Sequence, residues 1–307
     1  MFIITHRSIW YTISVILLVG SIAVTAVFGL KFGIDFTGGS LMEVAYESDA
    51  PTTGDVYEAL ERAGVEGSSV RQTGTNGFLI RTPFLDETTY SAVRAALGGT
   101  EVRYDSIGPS IGTELATRAA YAIILVLLAI TLFIAFAFRH VSKPVSSWKY
   151  GLVALAALAH DVIIPIGAFA LMGQFIGAEV DTLFVTALLV ILGFSVHDTI
   201  VVFDRTRENL KKLAEEHKEE AFEKTVGRSV TQTLARSINT SLTTVLALVA
   251  LYIWGPESTK FFTLTLLIGI IAGTYSSIFI GSPLLVTLQK MQKEPVVDDA
   301  KHHKKKK

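Results

Sequence analysis

Two aspartates, Asp161 and Asp198, lie inside long apolar stretches, and each directly follows a histidine, His160 and His197. A carboxylate inside a hydrocarbon-spanning helix costs several kcal/mol unless it is paired, hydrated or protonated. Each one is therefore a candidate functional site by default. On a helix Phe194, Ser195, Asp198 and Val202 share a face, and His197 points roughly 100° away. At about 1.5 Å per residue, Asp198 should lie roughly 8 Å, and Asp161 roughly 15 Å, from the same edge of the bilayer. The next apolar block opens with Arg236, Asn239, Thr240, Thr243 and Thr244, spaced i, i+3, i+4, i+7 and i+8 along one side. Those residues, with Asp161 and Ser195, are the expected polar support of Asp198. Gly193 and Ser195 are small enough to admit a neighbouring helix, and Gly269-x-x-x-Gly273 is a close-packing motif.

Other chemistries fit poorly. An aspartyl protease needs two carboxylates in contact sharing a proton, and the unequal depths of Asp161 and Asp198 argue against that. Gly193-x-Ser195 is followed by Val196-His197, which lacks the final glycine of a nucleophile elbow. The stretch Gly33 to Ser40 has the glycines of a phosphate loop, but Gly39 stands where that loop needs lysine. The chain has no cysteine, which excludes disulfides, thiolate catalysis and Cys-based zinc sites. A formal net charge of -1 makes no electrostatic case for nucleic acid. No enzyme activity, cofactor or metal is expected.

The elements that must hold these residues are spanning helices. Six apolar blocks, Ile9–Leu30, Ala119–Phe138, Tyr150–Met172, Leu183–Phe203, Ile238–Trp254 and Phe261–Leu288, meet the roughly 20-residue length of a hydrocarbon core. The first is too long for the apolar region of a signal peptide. Arg139, Lys143 and Lys149 lie in one loop, and Arg205, Arg207, Lys211, Lys212, Lys218, Lys224 and Arg228 in another. Positive loops stay inside, so both termini should be cytoplasmic and residues 31–118 external. Trp10, Tyr150, Tyr252 and Trp254 sit near span ends, where aromatic rings favour the headgroup layer.

The expected organisation is a first span over 1–30, an external α+β domain over 31–118, and five spans over 119–288. A cytoplasmic loop is expected at about 204–236 and a basic tail at 289–307. Within the external domain, strands are expected at Leu41–Tyr46, Ser69–Gln72, Phe78–Thr82 and Glu101–Tyr104. Helices are expected from a Thr53 cap through Arg62 and at Glu87–Leu97. That β-α-β-β-α-β order is the ferredoxin-like arrangement. Asp35, Gly38 and Gly39 fall at the junction between bilayer and domain, where glycines permit a tight turn.

Several segments carry a resemblance. They are Gly33-Ile-Asp-Phe-Thr-Gly-Gly-Ser-Leu, Ile107-Gly-Pro-Ser-Ile-Gly-Thr-Glu-Leu, Ala159-His-Asp-Val and Gly193-Phe-Ser-Val-His-Asp-Thr-Ile-Val-Val-Phe-Asp-Arg-Thr-Arg-Glu-Asn209. Leu234-Ala-Arg-Ser-Ile-Asn-Thr-Ser-Leu-Thr-Thr244 and Gly273-Thr-Tyr-Ser-Ser-Ile-Phe-Ile280 complete the set. In that order they resemble the SecD/SecF family of bacterial protein-export membrane subunits, within the resistance–nodulation–division superfamily. The resemblance implies half of a twelve-helix transporter-like unit, with a SecD-like chain as the other half. It also implies work beside the SecYEG channel and SecA motor on unfolded preprotein, driven by the proton-motive force at the cytoplasmic membrane. Carried over, Asp198 and Arg236 are the proton-relay pair. The alternatives are a proton-coupled half-transporter for small solutes and a passive assembly scaffold.

Overall fold

The computed structural model describes residues 2–47, 50–139 and 145–291. Lys143 and the tail from residue 292 onward, including Lys301–Lys307, lie outside the described residues. In hydrocarbon, backbone N–H and C=O groups must be satisfied within the segment, so each apolar block becomes a helix. A short α1 (Phe2–Thr5) precedes α2 (Arg7–Phe28). After the sheet domain come α6 (Pro109–Ala137), α7 (Ser147–Ile176), α8 (Thr182–Glu215) and α9 (Phe222–Trp254). The last span is composite: a 3₁₀ turn (Glu257–Thr259), α10 (Lys260–Ser276), one π turn (Ser277–Gly281) and α11 (Ser282–Lys290). Among the described residues six spans are long and apolar enough to cross a membrane. The most buried are α7, α8 and the composite span, whereas the apolar stretches of α2, α6 and α9 have few fully buried residues.

The expected loop at 204–236 is mostly helix. α8 continues to Glu215 and α9 starts at Phe222, leaving residues 216–221 as the connection. Charged residues end a hydropathic block without ending a helix, because Glu, Lys and Arg are good helix formers. They pair one turn apart here: Arg205 with Glu208 at 2.6 Å, and Arg207 with Asp204. Tyr150 also departs from expectation. It is fully buried, stacked on Phe138 at 5.1 Å and edge-on to Phe203 at 5.2 Å, so its ring packs between helices and is not presented on the bundle surface.

The sheet domain opens with a single turn, α3 (Ile34–Thr37), and β1 (Gly39–Ala45). Then follow α4 (Thr53–Arg62), β2 (Ser69–Thr73), β3 (Gly77–Thr82), α5 (Glu87–Leu97) and β4 (Thr100–Ile107). The strands lie in the order β2-β3-β1-β4 with every neighbour antiparallel, the ferredoxin-like topology. Met42, Val44, Phe78 and Ile80 from the central strands meet Val56, Leu60 and Val93 from the two helices in one core. Thr52, one residue before the expected cap, starts α4. Its hydroxyl accepts from the Asp55 N–H and the Asp55 side chain accepts from the Thr52 N–H, closing a capping box.

Candidate functional site

The middle of the bundle holds one layer of polar groups. Asp198 on α8 accepts the Ser237 hydroxyl from α9 at 2.6 Å and the Ser277 hydroxyl from the π turn at 2.7 Å. Asp161 on α7 accepts the Ser276 hydroxyl at 2.7 Å, the Ser195 hydroxyl from α8, and His160 Nδ1 at 2.9 Å. Both carboxylates are buried, and each accepts side-chain donors on both oxygens. Consecutive residues on a helix point about 100° apart. Ser276 and Ser277 can thus serve two acids on two different helices.

Small residues let the serines reach. A Cβ on Gly269 would fall 2.1 Å from Ile191 Cδ1, and one on Gly273 would fall 3.0 Å from Ser195 Cβ and 3.5 Å from Asp161 Oδ2. The π turn beginning at Ser277 interrupts the regular ladder beside Asp198, a local irregularity that recurs at functional sites. Each serine also has a second acceptor in its own helix. Ser277 Oγ lies 3.0 Å from the Thr274 carbonyl and Ser276 Oγ lies 3.1 Å from that of Gly273. A hydroxyl has one hydrogen to donate, so each serine can bond either the carboxylate or its own backbone.

Other candidate residues lie elsewhere. Arg236 is exposed on α9 and makes no ion pair among the described residues, so it does not contact Asp198. Asn239, Thr240 and Thr243 are exposed too, and Thr243 and Thr244 bond back to the Thr240 carbonyl. This polar stripe faces out of the bundle, and the inward face of α9 is Ser229, Thr233, Ser237 and Ser241. The every-fourth-residue spacing of those small polar residues was the signal available in the sequence. Gly193 is exposed, with open space where a Cβ would go, so it admits no helix of this chain. The expected difference in depth also shrinks. Asp161 is bonded to Ser195, one turn from Asp198, because α8 runs on well past the end of its apolar block.

A second polar cluster joins the sheet domain to the α7–α8 connection. Asp35 Oδ2 accepts from the Thr182 N–H at 2.8 Å and the Thr182 hydroxyl at 2.7 Å. Val180 donates to the Lys31 carbonyl and accepts from the Gly33 N–H, a short parallel bridge. Arg71 donates to the Ile176 and Gly177 carbonyls, and Arg81 pairs with Glu179 at 2.8 Å. Burial pushes the Glu179 carboxyl up against the pull of Arg81 and Arg71, and it also raises Asp181. Gly38 has φ +73° and a Cβ there would fall 2.6 Å from Pro109 Cα, so only glycine suits this turn. At Gly39 (φ +128°) a Cβ would fall 2.7 Å from the Thr82 carbonyl oxygen.

Six spans, a sheet domain docked on one helical connection and two buried carboxylates define a multi-pass membrane protein with a polar layer inside its helices. Residues 90–291 match the family described as protein export membrane protein SecD/SecF, C-terminal, and residues 23–50 match the SecD/SecF GG motif. The chain belongs to the SecD/SecF family. It is 41% identical over 303 residues to the protein translocase subunit SecF of Thermobaculum terrenum, covering 93% of each chain. It is 39% identical to that of Anaerolinea thermophila, covering 92% of each. The crystal structure of SecDF from Thermus thermophilus superposes with a TM-score of 0.80 at 31% identity, covering 94% of this chain and 38% of that one. A second SecDF structure, in a super-membrane-facing form, gives a TM-score of 0.62 at 32% identity.

Proposed function

We propose that this chain is the SecF-type subunit of a protein-export translocase of the bacterial cytoplasmic membrane. In this reading it couples inward proton movement to late steps of preprotein export, with Asp198 carrying the proton. The observation behind the reading is the hydrogen-bond set of Asp198: a buried carboxylate held by hydroxyls from two other helices, one of which has an alternative acceptor. Protonation turns one carboxylate oxygen into a donor. Ser277 then swings its hydrogen to the Thr274 carbonyl and accepts from Asp198 instead. One charge crossing about 100 mV supplies ~2.3 kcal/mol. That is comparable to one hydrogen bond to a charged group, about 1.5–3 kcal/mol, so a single proton is enough to drive the exchange.

A SecD-like half supplies what this chain leaves open. Arg236 is exposed, yet it neighbours Ser237, the donor to Asp198, so a partner seated on the outer face of α9 holds Arg236 close to the site. The sheet domain faces outward and both termini face the cytoplasm, in keeping with the basic residues of the α8–α9 hairpin. SecYEG, SecA and unfolded preprotein are the remaining partners in this reading, and the protein itself makes and breaks no covalent bond.

The test is Asp198→Asn, which removes ionisation with little change of shape. Reconstituted in vesicles with the SecD-like half, the variant should assemble but lose proton flux and potential-driven stimulation of export. A wild-type rate overturns the relay. The fully bonded carboxylate also suits a static clamp between helices, and a variant that loses assembly as well as flux would favour that role.

A further inference from the structure

The histidine–aspartate pair on α7 has no part in the scheme above. His160 is 2% exposed and Asp161 is 0% exposed. His160 Nδ1 lies 2.9 Å from Asp161 Oδ1, and the other carboxylate oxygen accepts the hydroxyls of Ser195 and Ser276. An ionised acceptor at Oδ1 requires that Nδ1 carry the hydrogen, which leaves a basic lone pair on Nε2. That nitrogen is buried with no hydrogen-bond partner among the described residues. A buried unsatisfied polar atom is rare, and a redox, catalytic or proton-binding role is a recognised reason to find one.

We propose that His160 and Asp161 together bind one proton, forming a second proton site in the membrane distinct from Asp198. The inference rests on the proton-coupled reading of the family member and deepens it. With neutral His160 and ionised Asp161, the pair places one net negative charge among buried groups. Adding one proton to the pair cancels that charge. The proton belongs to the pair, on Nε2 or on the carboxyl.

Few other groups face the pair. From α10 comes Tyr275, whose ring centroid is 6.0 Å from that of His160, and from α8 comes Asp198. Beyond Arg7, α2 contributes no charged side chain, and α6 has none after Arg118. The π turn has none, and α11 has none before Lys290. The link to Asp198 is short. Ser276 donates to Asp161, Ser277 donates to Asp198, and Ser195 and Asp198 lie one turn apart on α8.

The test uses the chain assembled with its SecD-like half in vesicles. His160→Asn keeps an N–H donor for Asp161 and removes the titratable nitrogen, and His160→Leu removes both. Proton flux in the wild type should show two inflections with pH. His160→Asn should lose one of them and still transport. In parallel, ¹⁵N-labelled histidine should give one imidazole signal that titrates in the wild type and vanishes in His160→Asn. That signal is read without transport, so it should persist in Asp198→Asn. An unchanged flux profile in His160→Asn, together with a His160 signal that stays constant with pH, overturns the second site. Normal flux in Asp198→Asn overturns the first reading and leaves the imidazole measurement standing. If His160→Leu fails to assemble while His160→Asn behaves as expected, the hydrogen bond is structural and the proton site is retained.

Discussion

Asp35, just before the sheet, caps the first residue of α8, Thr182, through both its backbone N–H and its hydroxyl. One side chain thus ties the sheet domain to the helix that carries Asp198. Asp35→Ala removes both bonds, each worth about 1 kcal/mol or more where a carboxylate accepts. We expect faster hydrogen exchange in the Gly177–Asp181 connection and weaker export at undiminished proton flux. Loss of flux in step with export would mean that the tie transmits nothing.

The same joint should respond to pH. The Glu179 and Asp181 carboxyls are raised above their ordinary range chiefly by burial. A proton held more tightly in the docked state favours docking. Docking therefore weakens as pH rises from the ordinary carboxylate range through the raised values, and acidification tightens it. Exchange protection of the connection, corrected for intrinsic rates, should fall as pH rises above the ordinary carboxylate range of about 4. Glu179→Gln should flatten that dependence.

Ser237→Ala or Ser277→Ala deletes one hydrogen bond to the Asp198 carboxylate, worth about 1.5–3 kcal/mol. Each variant should melt at a lower temperature in detergent than the wild type. An unchanged melting temperature would contradict the hydrogen bonding described above.

Gly269 has no room for a side chain against Ile191. Gly269→Ala should cost about 1–3 kcal/mol through overpacking, read as a lower melting temperature in detergent. Ile191→Ala should recover part of that loss in the double variant. Additive losses would place the clash elsewhere.

Arg236 is exposed on the outer face of α9 and makes no ion pair among the described residues. Arg236→Leu should leave the stability of this chain within about 0.5 kcal/mol of wild type, as for surface sites. It should nonetheless reduce co-purification with the SecD-like half. Destabilisation of the chain alone would point to an internal partner.

Much of this architecture was legible beforehand. All four strands and both domain helices fall within a few residues of their expected limits, because turn residues and apolar alternation mark them locally. The spans were legible in number but not in length, since hydropathy records the edge of the hydrocarbon and α8 and α9 run past it. Asp161 and Asp198 stood out by chemistry. Their partners did not, because which side of α9 faces inward depends on tertiary packing. Arg236 and Ser237 are adjacent in sequence, but one is exposed and the other accounts for a bond to Asp198. The cap by Asp35 joins residues 147 positions apart and left no local trace.

α8 is a single unbroken helix from Thr182 to Glu215. At about 1.5 Å per residue it is a rod of roughly 50 Å, and Asp198 sits close to its midpoint. A tilt of only a few degrees about that fulcrum swings the two tips in opposite directions by a couple of ångströms each. One tip is bolted to Asp35 and the other forms the α8–α9 hairpin. Any displacement of one tip is thereby geared to a displacement of the other, with no break in the helix between them.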